Sequence, residues 1–201
     1  MLETLKSYLL FWRRSGTTFK HVGALTPSSR FLARAMCDPI DWNATQTILE
    51  VGPGTGIFTA EILRRMRPGT RLLLIERDEV FCDSLRRLYP RAEVIHGDVR
   101  ELRDLLQKSG VTQLDAIISG LPVLLLPDDI VTAYYRAVLQ LLDARKPFVQ
   151  FTYSAYKFRA RTQHWLTHVH QCKRVLWNWP PAYVLTLTVN PKLSAATPTA
   201  S

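Results

Sequence analysis

The sequence predicts an α/β fold in which a seven-stranded, mostly parallel sheet is covered by helices on both faces. Three observations carry that expectation. From residue 47 onward, short continuous apolar runs alternate with segments of helical period. The first apolar run ends in a glycine-rich loop, Gly52-Pro53-Gly54-Thr55-Gly56. The last two apolar runs follow one another with a short proline-bearing link and no helix between them.

TILEV (47–51), RLLLIE (71–76), AEVIHG (92–97), LDAIIS (114–119) and KPFVQFTY (146–153) are the expected parallel strands. They are largely continuous in apolar character, as strands buried on both faces must be. IFTAEILRRM (57–66), EVFCDSLRRLY (79–89), VRELRDLLQKSG (99–110) and DDIVTAYYRAVLQLLD (128–143) space apolar residues three and four apart and are the expected crossover helices. HQCKRVLW (170–177) and AYVLTLTV (182–189), joined by NWPP, form an expected hairpin, so the sheet ends with an antiparallel strand. Ahead of this unit, GALTPSSRFLARAM (23–36) offers Thr26 as an N-cap, Pro27 at the first helical position and Arg30 one turn in. The expected organisation is therefore helices over 1–36, one domain over 37–191, and a small polar tail over 192–201 that lacks the composition to fold.

A chain of 201 residues supports one substantial core, and 47% hydrophobic with 21% charged residues is a globular composition. No apolar run reaches the roughly 20 residues of a membrane-spanning helix. The amino end has no small-residue cleavage site, so no secretory signal is expected. Cys37, Cys82 and Cys172 are scattered without a CxxC pair, which predicts buried, reduced thiols and no structural zinc. The net charge of +9 is unevenly spread: +5 over residues 1–36, −4 over 37–143, and +8 over 144–201, where no carboxylate occurs. That asymmetry suggests an anionic partner (nucleic acid, a phospholipid surface or a phosphorylated small molecule), or a basic surface kept for solubility.

The glycine spacing is GxGxG, not the GxGxxG of dinucleotide-binding folds. Glu76 closes the second strand, where an acid can bridge a ribose diol, and Asp98 follows the third, where it can accept from an adenine amino group. Glu-Val-Gly-Pro-Gly-Thr-Gly over 50–56, with Glu76 and Gly97-Asp98, resembles the Rossmann-like methyltransferases that use S-adenosylmethionine. The resemblance implies that Gly52, Gly54 and Gly56 cradle the methionine part, Glu76 holds the ribose and Asp98 reads the adenine. It implies that Leu25, Thr26, Glu50, Val99 and Ser119 complete the cofactor site, with S-adenosylhomocysteine as product. A sulfonium methyl moves by in-line displacement, so such an enzyme chiefly aligns the nucleophile and keeps water away.

The loop after the fourth strand faces the transferring methyl in this group. In adenine-amino methyltransferases it resembles Asn/Asp-Pro-Pro-Tyr or Asn-Leu-Pro-Tyr, with an amide for the amine and a ring to stack the base. Here it reads Ser119-Gly120-Leu121-Pro122-Val123. Without the amide and the ring, a flipped base has no grip, which counts against nucleic acid as substrate. Leu121, Val123, Leu124, Leu125 and Leu126 are equally suited to an apolar wall and to core packing.

GALTPSSR, SGLP, QFTY (150–153) and NWPPA (178–182) together resemble the bacterial phospholipid N-methyltransferases, which methylate phosphatidylethanolamine towards phosphatidylcholine. That resemblance implies a phosphate held by cations, with Arg30, Lys157, Arg159 and Arg174 as candidates and Leu121, Tyr153 and Trp179 beside the substrate; Ser28, at the helix N-terminus, could bind the same phosphate or simply cap the helix. An alkylammonium must lose a proton before attack. Tyr153, His21, Ser119 and bulk water are the candidate acceptors, Tyr153 first. Tyr153, Trp177 and Trp179 are available to hold a quaternary ammonium by cation–π attraction, or belong to the core.

Leu2, Leu5, Leu9 and Trp12 recur at helical spacing beside Lys6, Arg13 and Arg14. Such a helix suits an anionic membrane interface, a lid over the cofactor, or packing on its own domain. His164, His168 and His170 have partly metal-like spacing without a matching acid or thiol, and are read as surface residues. The expectation is thus a monomeric, cytoplasmic enzyme held peripherally on the inner leaflet, with phospholipid and an anionic membrane surface as partners and no metal. An rRNA adenine N6-dimethyltransferase is the competing expectation, and a non-catalytic membrane adaptor that keeps the cofactor fold is another.

Overall fold

A computed structural model describes residues 27–177 and 181–190. Helix α1 (Pro27–Cys37) leads into β1 (Thr47–Val51), α2 (Ile57–Arg65), β2 (Arg71–Glu76), α3 (Glu79–Leu88) and β3 (Glu93–His96). A 3-10 turn (Val99–Glu101) opens α4 (Leu102–Lys108), followed by β4 (Ala116–Ser119), a second 3-10 turn (Val123–Leu125) and α5 (Asp128–Leu141). The chain ends with β5 (Phe148–Thr152), α6 (Ala155–Thr162), β6 (Leu166–Val175) and β7 (Ala182–Val189).

The seven strands form one sheet in the order β3-β2-β1-β4-β5-β7-β6. The first five are parallel, and β7 runs antiparallel to both β5 and β6. Strands β1, β2, β4 and β5 carry apolar residues on both faces because each face meets helices. One core joins α4, α5 and α6 to the sheet through Leu102, Leu106, Tyr134, Val138 and Phe158. The other joins α1, α2 and α3 through Leu32, Met36, Ile62 and Leu85.

Two local differences from the sequence expectation have clear causes. Helix α6 was not expected because SAYKFRART has little amphipathic pattern. It forms with Ser154 as N-cap, accepting from the Lys157 amide, and buries chiefly Phe158 and Thr162. Helix α1 is no appendage: Leu32, Ala35, Met36 and Cys37 pack with Val149, Phe151 and Val184 of the sheet. The boundary expected after residue 36 therefore cuts through a helix whose two sides share one core. Cys37 and Cys82 are buried as expected, whereas Cys172 is exposed on the edge strand β6, where its side chain does not face a core.

Candidate functional site

Strand order reverses between β1 and β4, since the chain leaves β1 towards β2 and β3 on one side and leaves β4 towards β5 on the other. A crevice opens at the carboxyl ends of strands where connections diverge in this way. Val51 pairs in register with Ser119, so the loop after β1 and the loop after β4 are neighbours.

The loop after β1 is shaped by glycine. Gly52, Gly54 and Gly56 have φ of 67°, 54° and 80°, a region where other residues are strained. Gly56 also admits Tyr89, whose hydroxyl donates to the Gly56 carbonyl at 3.1 Å. A Cβ on Gly56 would fall 2.4 Å from the Tyr89 ring.

Of the two strand-end acids, Glu76 is bonded to this loop. Glu76 Oε2 accepts from the Gly54 amide at 3.0 Å, and Oε1 accepts from the amides of Arg77 and Asp78 at 2.8 and 2.9 Å. Asp98 caps the 3-10 turn and is held by the Arg100 guanidinium at 3.0 Å through both oxygens. That ion pair keeps the Asp98 carboxyl below its ordinary range. Val99 stands half-buried beside it. Arg100 was not singled out in the sequence, because nothing in its spacing separates it from other surface arginines.

Glu50 lies beneath the loop and is fully buried. Thr59 donates to its Oε2 at 2.6 Å, while Oε1 has no partner. Burial raises its carboxyl to about 8, against the lowering effect of the Thr59 hydrogen bond and with Glu76 adding to the rise. The folded protein therefore keeps a proton that the unfolded chain releases near pH ~4.3. Stability from this group is greatest in acid and falls as pH rises towards about 8. Glu50→Gln should remove on the order of 3 kcal/mol of that slope between pH 5 and 8. Urea unfolding at several pH values checks this, and an unchanged slope in the variant would show that Glu50 ionises freely.

The loop after β4 leans directly on the glycine loop. The Gly120 amide donates to the Val51 carbonyl at 2.8 Å, and a Cβ on Gly120 would lie 2.5 Å from the Gly52 carbonyl oxygen. Leu121 is half-buried, and its Cδ2 would be 3.1 Å from a Cβ on Gly52. Val123 is buried in the core, and Leu124, Leu125 and Leu126 are half-buried around it. Of the two uses open to these apolar residues, Val123 is committed to the core.

Two polar side chains pin that loop. Gln150 Nε2 donates to the Leu121 carbonyl at 3.0 Å. Arg161 of α6 donates to the carbonyls of Val123 and Leu126 at 2.8 and 2.6 Å, and pairs with Asp128. Gln150 entered the sequence reading only as the first residue of QFTY, and Arg161 was not picked out, since α6 carries no strong pattern.

The proposed proton acceptors fall in different places. Ser119 is fully buried on the α5 face, near the Tyr134 hydroxyl but short of hydrogen-bond geometry. Strand alternation aims its side chain into the core, so its hydroxyl is withdrawn from the loop surface. Tyr153 stands exposed just beyond β5, its ring edge-on to Phe151 at 5.9 Å. His21, Leu25, Thr26 and Trp179 lie outside the described residues, as do Leu2, Leu5, Lys6, Leu9, Trp12, Arg13 and Arg14. Ser28 is the second residue of α1. Arg30, Lys157, Arg159 and Arg174 are all exposed, with the Arg174 guanidinium 5.9 Å above the Tyr183 ring. His164 and His170 are exposed. Among the described residues no cluster of three His, Cys, Asp or Glu could hold a metal ion, and no helix is long and apolar enough to cross a membrane.

A left-handed glycine cradle and a strand-end acid already bound to it suit a ligand carrying a ribose diol. Sheet order and site together define a Rossmann-like methyltransferase. The sequence model of the ribosomal RNA adenine dimethylase family matches residues 28–105. The ornithine lipid N-methyltransferase of Singulisphaera acidiphila is 38% identical over 154 residues, spanning 74% of this chain and 79% of that protein. The ribosomal RNA small subunit methyltransferase A of Geobacter metallireducens is 37% identical over 86 residues, which span 40% of this chain and 30% of that one. Among solved structures, a TehB-like methyltransferase of Corynebacterium glutamicum superposes with a TM-score of 0.62 at 16% identity, covering 94% of this chain and 100% of the other. The chain belongs to the S-adenosylmethionine-dependent methyltransferases, in the family of the ornithine lipid enzyme, and its cofactor is S-adenosylmethionine.

Proposed function

We propose that this enzyme methylates the head-group amine of phosphatidylethanolamine and then its mono- and dimethyl forms, leading to phosphatidylcholine. The observation that carries the reading is the loop after β4. Ser119 replaces the amide that grips an adenine amine, and its side chain is buried; Val123 replaces the stacking ring and is buried as well. The ribosomal RNA family match stops at residue 105, ahead of this loop, and so reports on the cofactor half alone. The relative that spans most of the chain acts on a lipid amine.

The cofactor supplies an electrophilic sulfonium methyl when bound. Gly52, Gly54 and Gly56 shape its cradle, Glu76 and Asp98 hold the ribose and adenine, and Glu50 lies under the methionine end. The Gly120 loop sets the floor on which the amine approaches, and its leucines exclude water. Tyr153 accepts a hydrogen bond from the ammonium and relays its own phenolic proton to bulk water as the ammonium proton arrives, because Ser119 is withdrawn into the core. Arg30, Lys157, Arg159 and Arg174 hold the lipid phosphate. The enzyme works as a monomer on the cytoplasmic face of the membrane, with residues 1–14 as an interfacial anchor.

A second reading is favoured by the 38% identity to the ornithine lipid enzyme: the same site takes the amine of an ornithine lipid. Labelled S-adenosylmethionine offered in parallel with phosphatidylethanolamine vesicles, ornithine lipid vesicles and unmodified rRNA separates these. Label in phosphatidylethanolamine is the expected result. Label in ornithine lipid alone moves the substrate assignment, label in rRNA alone overturns the lipid reading, and label in none favours an adaptor. Deleting residues 1–14 should weaken co-sedimentation with anionic vesicles severalfold; unchanged co-sedimentation removes the anchor.

A further inference from the structure

Among the described residues, most large apolar side chains left in water stand at one end of the sheet. Of the seven among the described residues, Val80 and Leu88 lie on α3, while Phe31, Tyr153, Tyr156, Leu176 and Trp177 stand elsewhere. Sheet order gathers those five. Strands β5 and β6 both run towards the site end, with β7 returning between them. Tyr153 and Tyr156, beyond β5, and Leu176 and Trp177, beyond β6, therefore emerge on the rim that also carries the Gly120 loop. Phe31 of α1 reaches the same rim, its ring 6.2 Å from Trp177. Tyr156 and Trp177 are 83% and 75% exposed, far beyond what scattered surface residues need.

Basic residues flank these five side chains, while the exposed acids nearest the Gly120 loop are Asp128, paired with Arg161, and Asp129 at the start of α5. Lys157 and Arg159 follow Tyr156, Arg174 precedes Leu176, Arg30 precedes Phe31, and all four are exposed. No carboxylate occurs after Asp143. Asp38, at the end of α1, is already engaged by Arg65 and Lys173. Aromatic rings interleaved with Lys and Arg match the head-group layer of an anionic bilayer, where rings settle at the interface and cations meet phosphates.

We propose that this rim is a docking surface for an anionic lipid bilayer, distinct from residues 1–14, and that it seats the Gly120 loop against the head groups. The proposal rests on the lipid reading above for its biological sense, but binding can be tested without the methylatable amine. The probe is a vesicle of phosphatidylglycerol and phosphatidylcholine, offered to the full chain. Phe31→Ser with Trp177→Ser should lower partitioning at least tenfold while affinity for S-adenosylhomocysteine stays unchanged. Phe31→Trp should keep partitioning, and high salt should weaken it in the unaltered protein. Undiminished partitioning of the double variant overturns the proposal. Should that variant lose S-adenosylhomocysteine binding, Lys157→Glu with Arg159→Glu decides instead, and unchanged partitioning again overturns it. Loss of vesicle binding in a protein that labels only rRNA would keep the docking surface and remove the lipid substrate. Lipid labelling with undiminished partitioning of the variant would do the reverse.

Discussion

Replacing Gly120 by alanine is expected to lower cofactor affinity about 100-fold and to destabilise the fold by about 3 kcal/mol. The added methyl would lie 2.5 Å from the Gly52 carbonyl oxygen and 3.3 Å from that of Val51. Both neighbours are backbone, and both belong to the end of β1 and the glycine loop, so no side chain can rotate away. Relief requires the two loops to part. The Gly120 amide would then lose its 2.8 Å bond to Val51, and the cradle would shift by a sizeable fraction of an ångström. Calorimetric titration with S-adenosylhomocysteine and thermal unfolding measure the two effects. A variant with unchanged affinity would show that the loops are not mechanically coupled.

Replacing Arg161 by methionine should cost about 2–4 kcal/mol of stability and raise KM for the acceptor more than it changes KM for the cofactor. The guanidinium satisfies the carbonyls of Val123 and Leu126, which face inward around the second 3-10 turn. Methionine fills similar space but donates nothing, leaving both acceptors short of a partner. The ion pair with Asp128 contributes little, since that carboxylate is almost fully exposed. Arg161→Lys, which restores one donor, should recover part of the acceptor KM; a merely structural role would restore stability without moving that ratio. Equal effects on both KM values would separate Arg161 from the acceptor loop.

These two residues mark how far the sequence could be read. Strands β1, β2 and β7 begin and end where their apolar runs do, because a strand buried on both faces must be largely apolar. Gly52, Gly54 and Gly56 were legible because their spacing states a backbone requirement, and all three have positive φ. Gly120 looked like space for a small amine. Its stronger constraint is the Gly52 carbonyl 68 residues earlier, which no local pattern records. Ser119 was legible as the end of a strand, but the face to which its hydroxyl turns depends on the register with Val51. Helix α6 was missed because its amphipathic pattern is weak, and with it went Arg161 and its hold on the acceptor loop.

The sequence alone determined the order of the seven strands and of the helices before β5, the glycine cradle, the acids at the ends of β2 and β3, and the absence of an amide and a ring after β4. Those are properties of hydrophobic period and of backbone geometry at single residues, which local chemistry sets. The tertiary structure decided which groups meet. Glu50 lost its water and holds a proton, Arg161 crossed to the loop after β4, and five exposed aromatic and aliphatic side chains came to one rim. Burial and long-range contact depend on how the sheet is wound, and a parallel sheet brings together strand ends that are far apart along the chain.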